Sequence, residues 1–393
     1  MPDQSRHVPI QVGLEKFLTI TPTGSRQRVG LITNHSAIDH NLDHAIDVLG
    51  ASDVIELAAL FGPEHGVRGD AQAGEPVSSA VDTRTGLPSY SLYGATYRPD
   101  ASMVQGLDAL VYDIQDLGVR YATYASTMIE AMRAAGKFGL RFYVLDRPNP
   151  LNGSIVEGNV LEPGHESFVG AYTMPVRHGL TIGELARMVN AQQKLGVELI
   201  VLSMSGWRRN LWYDETDLPW LPPTPNLPTL NALTLYSGTC LIEGTNLSEG
   251  RGTTLPFEVI GAPWLQADAL VRELRALQLP GINIRATTFV PVFSKHKGTL
   301  CAGIHCHVLD RDQLDATAFG VHLLSAIRRL HPNEFEWVVA NEDGRSLFID
   351  RLAGTDKLRQ ALDRDTNPRE IMDRWQGEID AFEHVRAPYL LYE

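Results

Sequence analysis

The sequence predicts an α/β protein: a Rossmann-like parallel sheet in an N-terminal domain, followed by a smaller α+β C-terminal domain. Three observations carry this. Short apolar runs, several of them β-branched, recur through the first half at lengths that suit strands buried on both faces of a parallel sheet. Helical patterns with recognisable caps separate most of them. A proline-rich stretch, Pro219 to Pro228, fits neither a helix nor a central strand and reads as a boundary, giving domains 1–225 and 226–393.

In chain order, strands are expected at Val29–Thr33, Val54–Leu60, Ala109–Tyr112, Phe142–Leu145 and Leu199–Leu202. A short helix fits Leu42–Leu49 and ends at Gly50, and a longer one covers Ala125–Ala135 and stops at Gly136. The clearest helix begins at Thr181, where Thr181 and Glu184 form a capping box and Ile182, Leu185, Ala186 and Val189 share a face; Gly196 ends it. Beyond the boundary, strands are expected at Phe289–Phe293 and Gly303–Leu309, and helices at Ala316–Leu330 and Glu370–Phe382. Trp207, Trp212, Tyr213 and Trp220 precede the boundary and read as interdomain core.

Composition narrows the chemistry. With 44% hydrophobic and 21% charged residues over 393 positions, the chain is an ordinary globular one. A net charge of −13 without any basic run argues against nucleic acid as a partner. Cys240, Cys301 and Cys306 are odd in number and form no CxxC pair, which fits a reducing compartment. Met1 to Leu18 has no apolar leader core and no segment has the length of a membrane span, so a cytoplasmic protein is expected. No GxGxxG, GxxxxGK[ST] or GxSxG occurs, so neither a nucleotide cofactor nor a nucleophilic serine is indicated. His305 and His307 share a strand face but lack third and fourth ligands, so no metal is expected.

Polar residues instead gather at strand ends, where open α/β sheets bind ligands. The densest segment is Phe61 to Asp70, whose glycines and proline force Glu64, His65 and Arg68 onto a tight turn. Asn34 and His35 follow the first strand, Asp113, Gln115 and Asp116 the third, and Asp146 and Arg147 the fourth. A second dense segment, Cys240 to Thr254, offers Glu243, Asn246, Glu249 and Arg251 between glycines that let backbone approach a ligand closely.

These blocks, Gly30 to His35, Gly62 to Gly66, Asp113 to Arg120, Leu145 to Pro150, Arg177 to Thr181 and Glu243 to Thr253, resemble the exo-β-N-acetylmuramidase family across nearly the whole chain. The resemblance implies a glycosidase that releases N-acetylmuramic acid from the non-reducing end of peptidoglycan fragments, with a cleft between a Rossmann-like and a smaller domain. Glycoside hydrolysis by two carboxyls then makes Glu64 the expected general acid, its pKa raised by apolar Phe61 and Pro63. Asp116, Asp113, Glu243 and Glu249 compete as the second carboxylate, and a substrate-assisted route through the acetamido group stays open. The lactyl carboxylate calls for a cation, from Arg68, Arg120, Arg147 or Arg251. The alternatives are a non-catalytic muropeptide-binding protein and another cell-wall hydrolase.

Overall fold

A computed structural model describes residues 9–19, 26–53, 55–69, 71, 78–340 and 346–393. Val54, expected to open the second strand, Asp70 at the end of the turn, and Met1 to Val8 lie outside the described residues.

The first half is a seven-stranded sheet built from β1 (Gln27–Thr33), β2 (Ile55–Gly62), β3 (Ala80–Val81), β4 (Pro88–Ser91), β5 (Ala109–Asp113), β6 (Arg141–Leu145) and, after a small two-stranded hairpin of β7 (Glu157–Val160) and β8 (Pro175–Arg177), β9 (Leu199–Leu202). Its spatial order is β3-β4-β2-β1-β5-β6-β9, with every pairing parallel except the β3–β4 edge. Alternate residues supply two apolar faces. Ile32, Phe61, Tyr112 and Val144 pack with Met128 and Leu185, whereas Leu31, Leu60, Val111 and Leu145 pack with Leu14, Ile46 and Leu49. The helices that cover these faces are α1 (Gly13–Phe17), α2 (Ala45–Gly50), α3 (Thr123–Phe138) and α4 (Ile182–Gln192). This is a doubly wound sheet, and its order reverses between β1 and β5.

Element ends depart from the sequence pattern for local reasons. Helix α2 starts at Ala45 rather than Leu42, because Leu42 takes φ +67° and His44 caps the helix with its ring. Gly136 lies inside α3: its missing Cβ lets Leu195 O approach to 2.5 Å of where a Cβ would stand, and the left-handed residue that ends α3 is Gly139. The capping box at Thr181 forms, but α4 ends at Gln192, ahead of Lys194 and Gly196, both at positive φ.

The second half holds a three-stranded antiparallel sheet, β10 (Val259–Ala262), β11 (Ile282–Phe289) and β12 (Cys301–Val308), in the order β10-β12-β11. Phe289 ends β11 instead of opening a strand, and residues 290–299 form the turn into β12. Around the sheet pack α5 (Leu230–Thr239), α6 (Ala267–Ala276), α7 (Ala316–Leu330) and α8 (Phe348–Ala353), followed by helices at Lys357–Asp363, Pro368–Asp373 and Gln376–Arg386. The last two replace the single helix expected at Glu370–Phe382.

The halves are sewn together. One apolar cluster joins Leu117, Val119 and Tyr121 to Leu233, Phe257 and Leu352. Trp212 sits between the guanidinium groups of Arg177 and Arg311, at 4.9 and 4.7 Å, and donates to Asp312 at 2.8 Å. The chain end returns to the first half, where the Leu391 amide donates to Glu184 at 2.7 Å and the Tyr392 hydroxyl to Asp146.

Candidate active site

Most charged residues at the strand ends are closed off. Arg147 and Asp113 are 5% and 0% exposed as side chains and form a two-pronged ion pair, Nη2 to Oδ2 at 3.0 Å, while Nη1 donates to Ile38 O at 2.9 Å. Asp146 caps α4, accepting from Thr181 Oγ1 and Gly183 N, both at 2.8 Å, and burial pushes its carboxyl up to about 7. Asp116 accepts from Gly118 N at 2.9 Å and burial pushes it up to about 6. Gln115 donates to Pro148 O at 2.8 Å, and Asn34 Oδ1 accepts from Ser36 N and Oγ at 3.0 and 2.6 Å, the Asx turn that ends β1. Arg120 donates to four carbonyls, those of Asn159, Met174, Leu352 and Ala353, at 2.7–3.1 Å. His35 meets Pro222 O at 2.8 Å, and Arg68 pairs with Asp82 through Nε and Nη2 at 3.2 and 3.1 Å. Asn246 holds Glu334 O and Glu336 N at 2.7 and 3.2 Å. None of these residues lines the main cavity.

That cavity, about 790 Å³, opens where β2 ends and is roofed by the second half. Of the residues singled out in the sequence, it collects Glu64, His65, Glu243, Glu249 and Arg251. The turn that delivers Glu64 is demanding. His65 and Gly66 have φ of +73° and +76°, and a non-glycine residue is uncommon there. The His65 ring holds the turn: a carbonyl only accepts, so Nδ1–H donates to Ala71 O at 2.8 Å and Nε2 accepts from Thr224 Oγ1 at 3.0 Å. Burial lowers the His65 pKa, which keeps this neutral tautomer and makes the ring a brace.

Glu64 has polar partners in a cavity whose lining is largely apolar. Thr123 Oγ1, at the first residue of α3, donates to its Oε2 at 2.8 Å, and the Tyr93 hydroxyl is hydrogen-bonded to the same carboxyl group. Burial and the charges of Glu64 and Glu243 push the Tyr93 phenol up, so it stays a neutral donor.

On the facing wall, Arg251 pairs with Glu243 through Nη2 at 3.1 Å and with Glu249 through Nε at 3.2 Å, and lies over the Phe257 ring at 5.1 Å. Lys295, from the β11–β12 turn, reaches Glu249 at 3.1 Å. Burial pushes the Glu243 carboxyl up, with Arg251 and Lys295 pulling against it and Glu249 adding to it. Glycine matters here: Gly252 has φ +78°, and a Cβ on it would stand 2.6 Å from Phe293 N, so the turn carrying Lys295 could not close on this loop.

Comparison with known proteins identifies the family. The family described as "Exo-beta-N-acetylmuramidase NamZ, N-terminal" matches residues 29–231, and its C-terminal counterpart matches residues 234–392. The chain belongs to this family. It is 44% identical to the peptidoglycan beta-N-acetylmuramidase NamZ of Bacillus subtilis, over 98% of this chain and 91% of that protein. Two crystal structures of DUF1343-family proteins from Bacteroides fragilis have its fold. One is 35% identical with a TM-score of 0.89, covering 98% of this chain and 100% of that one; the other is 30% identical with a TM-score of 0.75, covering 98% and 99%.

Several cavity residues of this family member carry no sequence signal that singled them out: Tyr93, Thr123, Thr224, Asn226 and Lys295. Thr224 and Asn226 come from the proline-rich stretch, which is not a bare boundary but part of the cavity wall. The Asn226 side-chain amide nitrogen is buried with no partner among the described residues. Among the described residues no group of three or more His, Cys, Asp or Glu could hold a metal ion. His305 and His307 face each other with ring centres 3.9 Å apart, and Arg285 lies 3.1 Å from His305 Nδ1.

Proposed function

We infer that the protein is an exo-β-N-acetylmuramidase, a glycoside hydrolase that releases N-acetylmuramic acid from the non-reducing end of peptidoglycan-derived saccharides. The observation that carries this, beside membership of the family, is one cavity lined by glutamates from both halves: Glu64 from the first, and Glu243 and Glu249 from the second, of which Glu249 is held by both Arg251 and Lys295. A bond lodged between Glu64 and Glu243 has a carboxyl group available on each side, as acid-assisted glycoside cleavage needs.

The environments divide the roles differently from the sequence expectation. Burial drives Glu243 toward its protonated form, which suits the group that gives a proton to the leaving oxygen. Glu64, positioned by Thr123 and Tyr93, acts as the partner carboxylate, toward water, the anomeric carbon or the substrate's acetamido group. Arg251 and Lys295 are the cations that line the cavity, and we assign the lactyl carboxylate to them, in exchange for part of their pairing with Glu249.

Leaving-group dependence separates the two glutamates. Glu243→Gln is expected to lose about 10²–10⁴-fold in kcat on a muramyl disaccharide and far less on an aryl muraminide, whose leaving group needs no proton. Glu64→Gln is expected to lose on both. The opposite pattern would exchange the roles, and saccharide binding without turnover by the unaltered protein would overturn the enzyme reading. No helix among the described residues is long and apolar enough to cross a membrane. The three cysteines are free and buried, and on them we place the protein in the cytoplasm, to be checked by fractionation.

A further inference from the structure

An exo-acting site holds one terminal sugar, and the remainder of the chain must leave the cavity along some path. One side of the cavity offers a built one. Tyr93, whose hydroxyl meets Glu64, stands at the head of an aromatic ridge: its ring centre lies 5.9 Å from those of Tyr97 and Phe168, which are 4.2 Å from each other. Tyr97 is 42% exposed, an unusual position for a ring that has two aromatic neighbours and could have been covered.

The ridge joins two cavities. Phe168 and Val169 sit at the tip of a tight loop closed by reciprocal Ser167–Gly170 backbone hydrogen bonds of 3.1 Å. Val169 lines the main cavity, whereas Ser167, Phe168 and Tyr97 line a second hollow of about 600 Å³. That hollow is also lined by polar side chains, among them Glu130, Arg133 and Gln193. Glu130 binds Arg98 at 2.6 Å and also Arg133, which in turn donates to Gln193 Oε1 at 2.8 Å.

Aromatic rings together with ordered charged and amide groups match an N-acetylhexosamine, which presents C–H bonds on its ring face and hydroxyl and acetamido groups around its edge. A stem peptide, by contrast, would ask for an extended backbone partner, and no β-strand edge borders this hollow. We propose that the Tyr97–Phe168 hollow is a subsite for the glycan beyond the leaving sugar, with Tyr93 covering the leaving sugar itself. The protein then favours longer saccharides over the disaccharide. This rests on the exo-muramidase reading of the main cavity.

The test compares peptide-free muramyl tetrasaccharide and disaccharide as substrates of the full chain. Tyr97→Ala is expected to lower kcat/KM on the tetrasaccharide by about three- to tenfold, the effect of one lost aromatic contact, and to leave the disaccharide unchanged. Tyr97→Phe keeps the ring and the preference. Equal loss on both substrates, no loss on either, or a loss that follows the presence of a stem peptide instead of chain length would each overturn the subsite. If the unaltered protein cleaves neither saccharide, the exo-muramidase reading itself fails. The subsite is then read from binding alone, as a tetrasaccharide affinity that exceeds the disaccharide's and falls in Tyr97→Ala; equal affinities overturn it.

Discussion

The carboxyl edge of the seven-stranded sheet carries charge on neighbouring strand ends, and its two sides use that charge in opposite ways. At β5 and β6, Asp113, Arg147, Asp116 and Asp146 are buried, and each is engaged by a neighbour: an ion pair, a helix cap or a turn amide. At β2, the same kind of turn holds Glu64 out to a cavity of about 790 Å³, facing Glu243 and Arg251 from the other half. The switch point between β1 and β5, where this class of sheet often binds its ligand, is filled by Asn34, Ser36 and Gln115. The main cavity lies one strand over. What separates the two sides is therefore access to the cavity, not the residue type or its density in sequence.

The widest contrast comes from breaking each side separately. Removing one member of the Asp113–Arg147 pair leaves a buried charge without its partner, so Arg147→Met is expected to cost about 3–5 kcal/mol of stability while the folded fraction keeps its turnover. Glu64→Gln, one strand away, is expected to leave the unfolding midpoint nearly unchanged and remove about 10²–10⁴-fold in rate. Denaturant unfolding together with kinetics on the same samples checks both. Loss of turnover in well-folded Arg147→Met would move that pair into the active site.

This contrast also marks how far the chain could be read unaided. The parallel strands were legible because apolar runs buried on both faces need no context, and α4 because its capping box is local: Thr181 and Glu184 sit three residues apart. The edge strands β3 and β4 were not, since Pro88 and two exposed residues, Ala80 and Val81, give no strand signal. The Glu64 turn and the Glu243–Arg251 loop stood out through glycines that must take positive φ or admit close backbone. Which charges were spent was invisible, because Arg120 reaches carbonyls more than 200 residues away at Leu352 and Ala353, and Asp146 meets Tyr392. Lys295 and Thr224 were missed for the same reason: each is an ordinary loop residue until the halves meet.

Acidity tests the closed side by a second route. Asp146 and Glu157 are pushed up to about 7, and Asp116 to about 6, burial being the main cause in each. An exposed carboxyl ionises near about 4, so between pH 4 and 7 the folded chain holds protons that the unfolded chain has lost. Raising the pH through that window therefore works against folding. These groups are expected to make the protein more stable at pH 5 than at pH 7.5, by on the order of 1–3 kcal/mol in all. Asp146→Asn should flatten part of the slope, and a stability that rises steadily from pH 5 to 7.5, unaffected by this variant, would contradict the assignment.

The smallest effect belongs to the residue nearest the boundary between the two behaviours. Arg68 shares the turn with Glu64, and its sequence position made it a candidate for the lactyl carboxylate, yet both prongs of its guanidinium go to Asp82, which Thr85 also binds at 2.7 Å. Arg68 and those contacts hold the Asp82 carboxyl down at about 2. A depressed carboxyl stabilises the fold above the unfolded value near about 4, and that contribution fades as the pH falls toward 2. The pair is partly exposed on the arginine side, 29% against 6%, so Arg68→Gln is expected to cost only about 0.5–1 kcal/mol at pH 7, with the difference from the unaltered protein shrinking near pH 3. KM for a muramyl glycoside should not change, whereas Arg251→Gln should raise it and narrow the preference over an N-acetylglucosaminide. A rise in KM for Arg68→Gln with stability intact would put Arg68 among the open charges, and the division drawn along this edge would have to pass on its other side.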